Sequence, residues 1–334
     1  MKKLQRFAVI GAGAWGTALA LVAGRAGRQA ILWAREREVV DAILKQRENT
    51  VFLPGIKLDP PFAVTDEFHS ALEEVDAVVL AVPAQYLRAL LGQMTRYVPP
   101  GAVLVLAAKG IEQETGALLS EAVTNALPKH PLAILSGPTF AGEVAKGLPT
   151  AVTVAARERA TAELVAKALG GRGFRPYVSD DPVGVQVGGA VKNVIAIACG
   201  IVIGRGLGEN ARAALLTRGL AEMTRLGVAK GAKAETFMGL SGLGDLALTC
   251  GSPQSRNMSL GIAIGEGKTL AEILAARWSV AEGVATAPAV VALAKRLDVE
   301  MPISSAVDAV LHHGGKIDAA IDSLLRRPLK AEGK

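Results

Sequence analysis

A chain of 334 residues with 37 Lys and Arg against 31 Asp and Glu has room for about two domains and carries a net charge of +6. Half of its residues are hydrophobic, which excludes wholesale disorder; 37 glycines without a G-X-Y period exclude collagen, and two cysteines exclude a disulfide scaffold or a four-cysteine zinc site. The basic excess suits an anionic partner, yet the basic residues are scattered and no RNP, zinc-finger or basic-zipper pattern points to nucleic acid.

Three positive charges precede an uncharged run, Phe7 to Gly24, and Ala18-Leu19-Ala20 has the look of a signal-peptidase site. Gly11, Gly13 and Gly16 inside that run weaken a helical signal core, so the segment reads instead as a strand (Arg6–Ile10), a glycine turn and a helix through about Gly27. Elsewhere no segment is expected to approach the roughly 20 apolar residues of a membrane span, and the protein is expected to be cytoplasmic. Ala30–Trp33 reads as the second strand, with a charged helix over Glu36–Gln46. Further strands fall at Ala77–Ala81, Ala102–Leu106 and Leu132–Leu135, with helical patterns at Gln85–Thr95 and Ala117–Leu127. Strands at Ala151–Ala155 and Arg175–Val178 flank a helix at Arg159–Leu169.

From about Asp181 the strand patterns vanish. Long Ala/Leu/Val stretches of helical spacing follow, separated by breaks at Gly204–Gly208, Gly239–Gly244 and Gly265–Gly267. The expected fold is α/β: a Rossmann-type, doubly wound, mostly parallel sheet over residues 1–180, then an all-α domain over 181–334, frayed at Lys330–Lys334.

Gly11-Ala12-Gly13-Ala14-Trp15-Gly16 follows a strand and opens a helix, the context in which bare backbone N–H groups receive a pyrophosphate. The second strand ends Trp33-Ala34-Arg35-Glu36. Arg35 in the place of a ribose-binding acid favours NADPH, with NADH accepted, and Glu36 keeps the acid alternative open. The same rim of the sheet should present Pro83, Lys109 and Gly137-Pro138-Thr139; Lys109 is either a site residue or a surface lysine at a strand end.

Two charges stand alone in apolar surroundings. Lys192 is the one charge between Pro182 and Gly204; it either faces a polar cleft with a lowered pKa, as suits a proton donor, or snorkels to a domain edge. Asp245 is the one charge between Glu235 and Arg256, and Lys192 is its natural partner. Ser255-Arg256-Asn257 offers either phosphate donors or a helix cap. His69, His130, His312 and His313 have no ligand spacing, so no metal site is expected.

Taken together, Gly11–Gly16, Gly137–Thr150, Val191–Ala198, Gly239–Leu246 and Thr249–Asn257 resemble the bacterial NAD(P)-dependent glycerol-3-phosphate dehydrogenases in order and spacing, over nearly the whole chain. Lys192 and Asn193 are adjacent here, whereas the β-hydroxyacid dehydrogenases place such a pair four residues apart. The resemblance implies reduction of dihydroxyacetone phosphate to sn-glycerol 3-phosphate for phospholipid synthesis, with Lys192 as acid/base. It implies Lys109, Gly137, Thr139, Asp245, Ser255, Arg256 and Asn257 around a phosphorylated substrate, with Asn193 and Thr249 matching active-site positions of eukaryotic relatives. Gly11, Gly13, Ala14, Trp15, Gly16, Arg35, Lys109, Ala141, Arg256, Val280 and Glu282 would face the dinucleotide. A homodimer is compatible with it. Thr139 keeps the hydroxyl of a common serine, and Met258 replaces a polar residue. A reductase of another keto compound, a catalytically dead dinucleotide sensor and a nucleic-acid binder are the competing classes.

Overall fold

The computed structural model describes residues 3–276 and 280–328; the fraying expected at Lys330–Lys334 lies outside them. Its first half alternates strand and helix: β1 (Arg6–Ile10), α1 (Ala14–Arg25), β2 (Gln29–Trp33), α2 (Arg37–Gln46), β3 (Ala63–Thr65), α3 (Phe68–Leu72), β4 (Ala77–Leu80) and α4 (Leu87–Met94). It continues through β5 (Val103–Leu106), α5 (Leu119–Ala126), β6 (Leu132–Ser136), α6 (Ala141–Ala145), β7 (Thr150–Ala155), α7 (Arg159–Leu169) and β8 (Phe174–Ser179). The strands form one sheet in the order β3-β2-β1-β4-β5-β6-β7-β8, parallel except where β7 runs against β6. The Val/Leu strands β4 and β5 are buried along their whole length, as central parallel strands with both faces covered must be.

Seven strands fall where the residue pattern predicts, with ends that differ by at most one residue. The eighth, β3, is too short for any periodicity to show and pairs only with β2; the five-residue helices α3 and α6 escape for the same reason. The helical stretch predicted at Gln85–Thr95 is α4 with a 3₁₀ turn at each end, Ala84–Tyr86 and Thr95–Tyr97.

Pairing register levels the carboxyl ends of the strands. Ile10 lies opposite Trp33 and Leu80, Leu80 opposite Leu106, and Leu106 opposite Ile134. The glycine turn, Arg35, Lys109 and Gly137 therefore leave the sheet along one rim. Strand order reverses between β1 and β4, the switch point at which open α/β sheets leave a ligand crevice.

Helices follow: α8 (Pro182–Gly204), α9 (Gly208–Ala229), α10 (Asp245–Cys250), α11 (Arg256–Gly265), α12 (Leu270–Ala275), α13 (Glu282–Arg296), α14 (Pro302–His312) and α15 (Ile317–Leu325). Among the described residues no strand comes after Ser179. Asp181 caps α8, its carboxylate accepting from Gly184 N at 2.8 Å, with Pro182 in the first turn. Helix α8 corrects one expectation. With 23 residues and an 18-residue stretch of mean hydropathy 1.9 it is long and apolar enough to cross a membrane, yet 89% of that stretch is buried inside the fold. A helix enclosed by other helices has no polar face to declare, so composition alone does not separate it from a span.

The expected break at Gly239–Gly244 is itself helical: Leu240–Gly244 forms a π-helical turn that runs directly into α10. Close packing fixes α11 on α8. A Cβ at Gly200 or Gly204 of α8, or at Gly261 or Gly265 of α11, would overlap the backbone of the other helix. That contact leaves the start of α11 beside the middle of α8, where Lys192 and Asn193 lie.

Candidate active site

Gly11 ends β1 with φ +112°, a conformation only glycine adopts freely, and a Cβ there would sit 2.9 Å from the Ala81 carbonyl oxygen after β4. A Cβ at Gly16 would overlap Gly11 O, so α1 can begin hard against the turn only with glycine. Gly13 differs. It is the N-cap residue of α1, and a Cβ there would meet nothing within 4 Å. No side chain caps this helix and no acidic residue occupies its first turn, so its first N–H groups are without a capping side chain. That is the cradle a pyrophosphate fits. Ala14 opens the helix, and the Trp15 indole donates to Ala107 O at 3.2 Å, tying the turn to the end of β5. Arg35 projects at the end of β2, exposed and held by Glu36 at 2.5 Å.

Further along the rim the two isolated charges meet. Lys192 Nζ donates to Asp245 Oδ1 at 2.5 Å and to Thr249 Oγ1 at 2.9 Å. Asp245 and Thr249 stand one helical turn apart on α10 and so share a face. Lys109, from the loop after β5, donates to the other Asp245 oxygen at 2.8 Å, to Gly137 O at 3.0 Å and to Thr139 Oγ1 at 3.5 Å. The Asp245 side chain is 0% exposed, that of Lys192 7% and that of Lys109 15%. Burial pulls the Lys192 ammonium down from 10.5 to about 8; Lys109 pushes it the same way and Asp245 opposes both. Two ammoniums on one carboxylate leave a net positive charge, and the lowered pKa makes Lys192 able to give or take a proton near neutrality.

A second group adjoins the first. Asn193 Nδ2 donates to Gly189 O at 3.3 Å, while its Oδ1 accepts from Asn257 Nδ2 at 2.9 Å; Asn257 Oδ1 in turn accepts from Gly283 N at 2.9 Å. Helices α8, α11 and α13 are joined by these amides. Ser255 Oγ accepts from Met258 N at 3.2 Å, so its hydroxyl caps α11. Arg256 next to it is solvent-accessible, yet the protein around its guanidinium lowers its pKa, an effect Glu282 partly offsets. Burial pushes Glu282 up to about 7, against the Ala84 backbone bond and the charge of Arg256. Its Oε1 accepts from Ala84 N at 3.2 Å, across from the sheet. Ala141 opens α6, and Val280 precedes α13 with an exposed side chain.

The residue pattern had no means of finding Ala84, whose contribution is a backbone N–H, or Gly110. The latter, at φ +158°, lets the Lys109 loop approach Ala84; a Cβ there would lie 2.6 Å from Ala84 Cβ. The pair Gly188-Gly189 inside α8 did carry a signal, since glycine mid-helix costs about 1 kcal/mol relative to alanine. A Cβ at Gly189 would sit 2.8 Å from Ser136 Oγ, so its absence makes room for the Ser136 side chain, with the Lys109 stem in ordinary contact at 3.6 Å. Among the described residues no group of three or more His, Cys, Asp or Glu side chains gathers as metal ligands.

A dinucleotide-type turn at the switch point of a parallel sheet, together with a buried cluster of Lys192 and Asp245 from the appended helices and Lys109 from the sheet half, is the arrangement of a nicotinamide-dependent oxidoreductase. Family models for the NAD-dependent glycerol-3-phosphate dehydrogenase N-terminus and C-terminus match residues 6–162 and 181–322. The chain is 58% identical to glycerol-3-phosphate dehydrogenase [NAD(P)+] of Rhodospirillum rubrum, over 99% of this chain and 95% of that one. It is 54% identical to the Caulobacter vibrioides protein so named, over 98% and 99%. The crystal structure of glycerol-3-phosphate dehydrogenase from Coxiella burnetii matches with a TM-score of 0.93 at 39% identity, covering 97% of this chain and 99% of that one. The chain belongs to the NAD-dependent glycerol-3-phosphate dehydrogenase family.

Proposed function

We propose that this chain interconverts dihydroxyacetone phosphate and sn-glycerol 3-phosphate, working as a dihydroxyacetone-phosphate reductase that feeds phospholipid synthesis. The observation that carries the reading is the buried Lys192 ammonium, lowered to about 8 and hydrogen-bonded to Asp245 and Thr249. The nicotinamide cofactor, when bound, supplies or accepts the hydride at C2, and the turn at Gly11, Gly13, Ala14, Trp15 and Gly16 would hold it. Lys192 gives its proton to the C2 oxygen during reduction and takes it back during oxidation. An ammonium beside that oxygen also stabilises the charge that develops there. Asp245 orients Lys192 and holds Lys109, which carries positive charge toward the substrate. Arg256, with Asn257 and the N-terminus of α11, receives the phosphate, so binding energy remote from C2 serves to position it. Residues 1–180 form the dinucleotide half in this scheme, and residues 181–334 bring the proton donor and phosphate site.

The discriminating assay follows NAD(P)H absorbance with dihydroxyacetone phosphate and with unphosphorylated dihydroxyacetone. Turnover with the first and near-inactivity with the second are expected; equal rates would overturn the phosphate site. NADPH is the preferred coenzyme in this reading, with NADH accepted, because the exposed Arg35 guanidinium can turn from Glu36 to a 2′-phosphate. Arg35→Asp should then shift preference toward NADH, and an unaltered ratio of kcat/KM values for the two coenzymes would remove Arg35 from that role.

Arg256→Ala should raise KM for dihydroxyacetone phosphate by about 10²-fold, on the scale of a lost charge-assisted contact of roughly 1.5–3 kcal/mol. An unchanged KM would take Arg256 out of the site.

A further inference from the structure

The loop from Ala107 to Leu118 carries Lys109 into the site, and the sheet half anchors it at several points. The Trp15 indole holds Ala107 O, Gln85 Nε2 donates to Ile111 O at 2.9 Å while its Oε1 accepts from Gln113 N at 2.9 Å, and Arg88 grips Glu112 with two bonds of 2.6 and 2.7 Å. The helical half holds the loop too: Lys109 bonds Asp245, Ile111 and Leu118 are buried in the helical core, and the tip has its own anchor there. Arg296, in the last turn of α13, donates from Nη1 to Thr115 O at 2.7 Å and from Nη2 to Gly116 O at 2.9 Å. Gly116 has φ +63°, and a Cβ on it would fall 2.5 Å from Arg296 Nη2, so the guanidinium rests where a side chain would otherwise stand.

The loop is closed upon itself, by an antiparallel bridge between Ile111 and Leu118 and by Glu112 N donating to Ala117 O at 3.0 Å. The Thr115–Gly116 tip and Lys109 thus belong to one closed loop, with Lys109 two residues before the bridge. The opposite end of α13 is tied to the sheet half as well, through Glu282 and Ala84 N. Helix α13 thus fastens to the sheet half at both ends, once near the dinucleotide turn and once on the Lys109 loop.

We propose that Arg296 is a positioning residue for the dehydrogenase reaction: by gripping the Thr115–Gly116 tip it keeps the loop where Lys109 reaches Asp245. The inference rests on the assignment of Lys192 as the proton carrier. Facing the Lys192 ammonium are Asp245, Thr249 and Cys250 from α10 and Lys109 from this loop. Without Arg296 the loop relaxes and Lys109 withdraws. Lys192 then loses a neighbouring like charge and has Asp245 to itself, so its pKa climbs.

The experiment compares the full-length parent, Arg296→Ala and Arg296→Lys in the oxidation of glycerol 3-phosphate across pH 6.5–10 (assay range), with thermal unfolding alongside. Arg296 is exposed, so the variants are expected to fold. Oxidation needs Lys192 neutral, and kcat/KM in the parent should level off above about pH 8. Arg296→Ala should move that limb to higher pH by about half a unit or more and lower kcat/KM at pH 7 about tenfold, as a misplacement of about 1 Å far from the chemistry can. KM for the coenzyme should hold, and Arg296→Lys should recover part of the loss. A lower Tm with an unmoved limb and an unchanged kcat/KM would overturn the inference. Should the parent itself show no ionisation near pH 8, the Lys192 assignment falls instead, and kcat/KM at pH 7 alone decides the role of Arg296: unchanged in Arg296→Ala, it refutes it.

Discussion

Lys192→Ala is expected to abolish turnover in both directions while leaving coenzyme binding nearly intact. In the proposed mechanism the proton passes through Lys192; among the described residues its ammonium bonds to Thr249, an alcohol, and to Asp245, the counter-ion it shares with Lys109. General acid–base contributions of about 10²–10⁴-fold set the scale of the loss, and the electrostatic contribution of the ammonium adds to it. The dinucleotide turn lies in the sheet half and loses nothing. Stopped-flow or steady-state kcat, paired with a fluorescence titration of reduced coenzyme, measures both quantities. A variant that keeps more than about a tenth of parent kcat would refute the assignment, since even the low end of general acid–base catalysis exceeds that. In the parent, reduction should fade and oxidation rise as pH passes through about 8, because the ammonium is the acid and the amine the base.

Asp245→Asn carries the second-largest effect, and it acts on stability as well as rate. The carboxylate is the shared counter-ion of Lys192 and Lys109, and its side chain is 0% exposed. An amide of the same shape leaves two ammoniums facing each other with no compensating charge. Removing one member of a buried ion pair costs about 3–5 kcal/mol; partial escape of Lys109 to solvent and a further fall in the Lys192 pKa relieve some of it. The expected result is a Tm lower by more than about 5 °C and a kcat lower by about 10²-fold, since Lys192 then lacks both its orienting bond and its charge. The alkaline limit of the reductive direction should move to lower pH. A normal Tm together with kcat above a tenth of parent would show that Asp245 holds neither lysine in a functional pose.

Much of the site was legible in the chain because a buried charge is costly enough to announce itself. Lys192 amid 22 uncharged residues and Asp245 amid glycines each demanded a partner, and each is the other's. The glycine turn was equally readable, since backbone packed as closely as Gly11 and Gly16 are tolerates no Cβ. Other residues were ambiguous for a physical reason. Lys109 as a site residue and as a surface lysine have the same local sequence, and only its bond to Asp245, 136 residues away, separates the two readings. Ser255 could cap a helix or hold phosphate, and its hydroxyl caps α11. Helix α8 shows the opposite failure, in which a strong signal had two meanings: a membrane span and an enclosed core helix share one composition.

Local chemistry by itself determined the strand–turn–helix that presents backbone N–H groups, the alternation that builds a parallel sheet, the change to helices after Asp181, and the two charges that could not stand alone. These follow from interactions between near neighbours or from the desolvation cost of a single group, both of which are written into a short stretch of chain. Which distant groups meet was decided by the tertiary structure. Examples are the second ammonium on Asp245, the Asn193–Asn257 amide pair, the Glu282 carboxylate on Ala84 N, and the Arg296 guanidinium on the Thr115–Gly116 carbonyls. Such contacts depend on helix crossings set by glycine-to-backbone packing and on the register of the sheet, and neither quantity is a property of any segment taken alone.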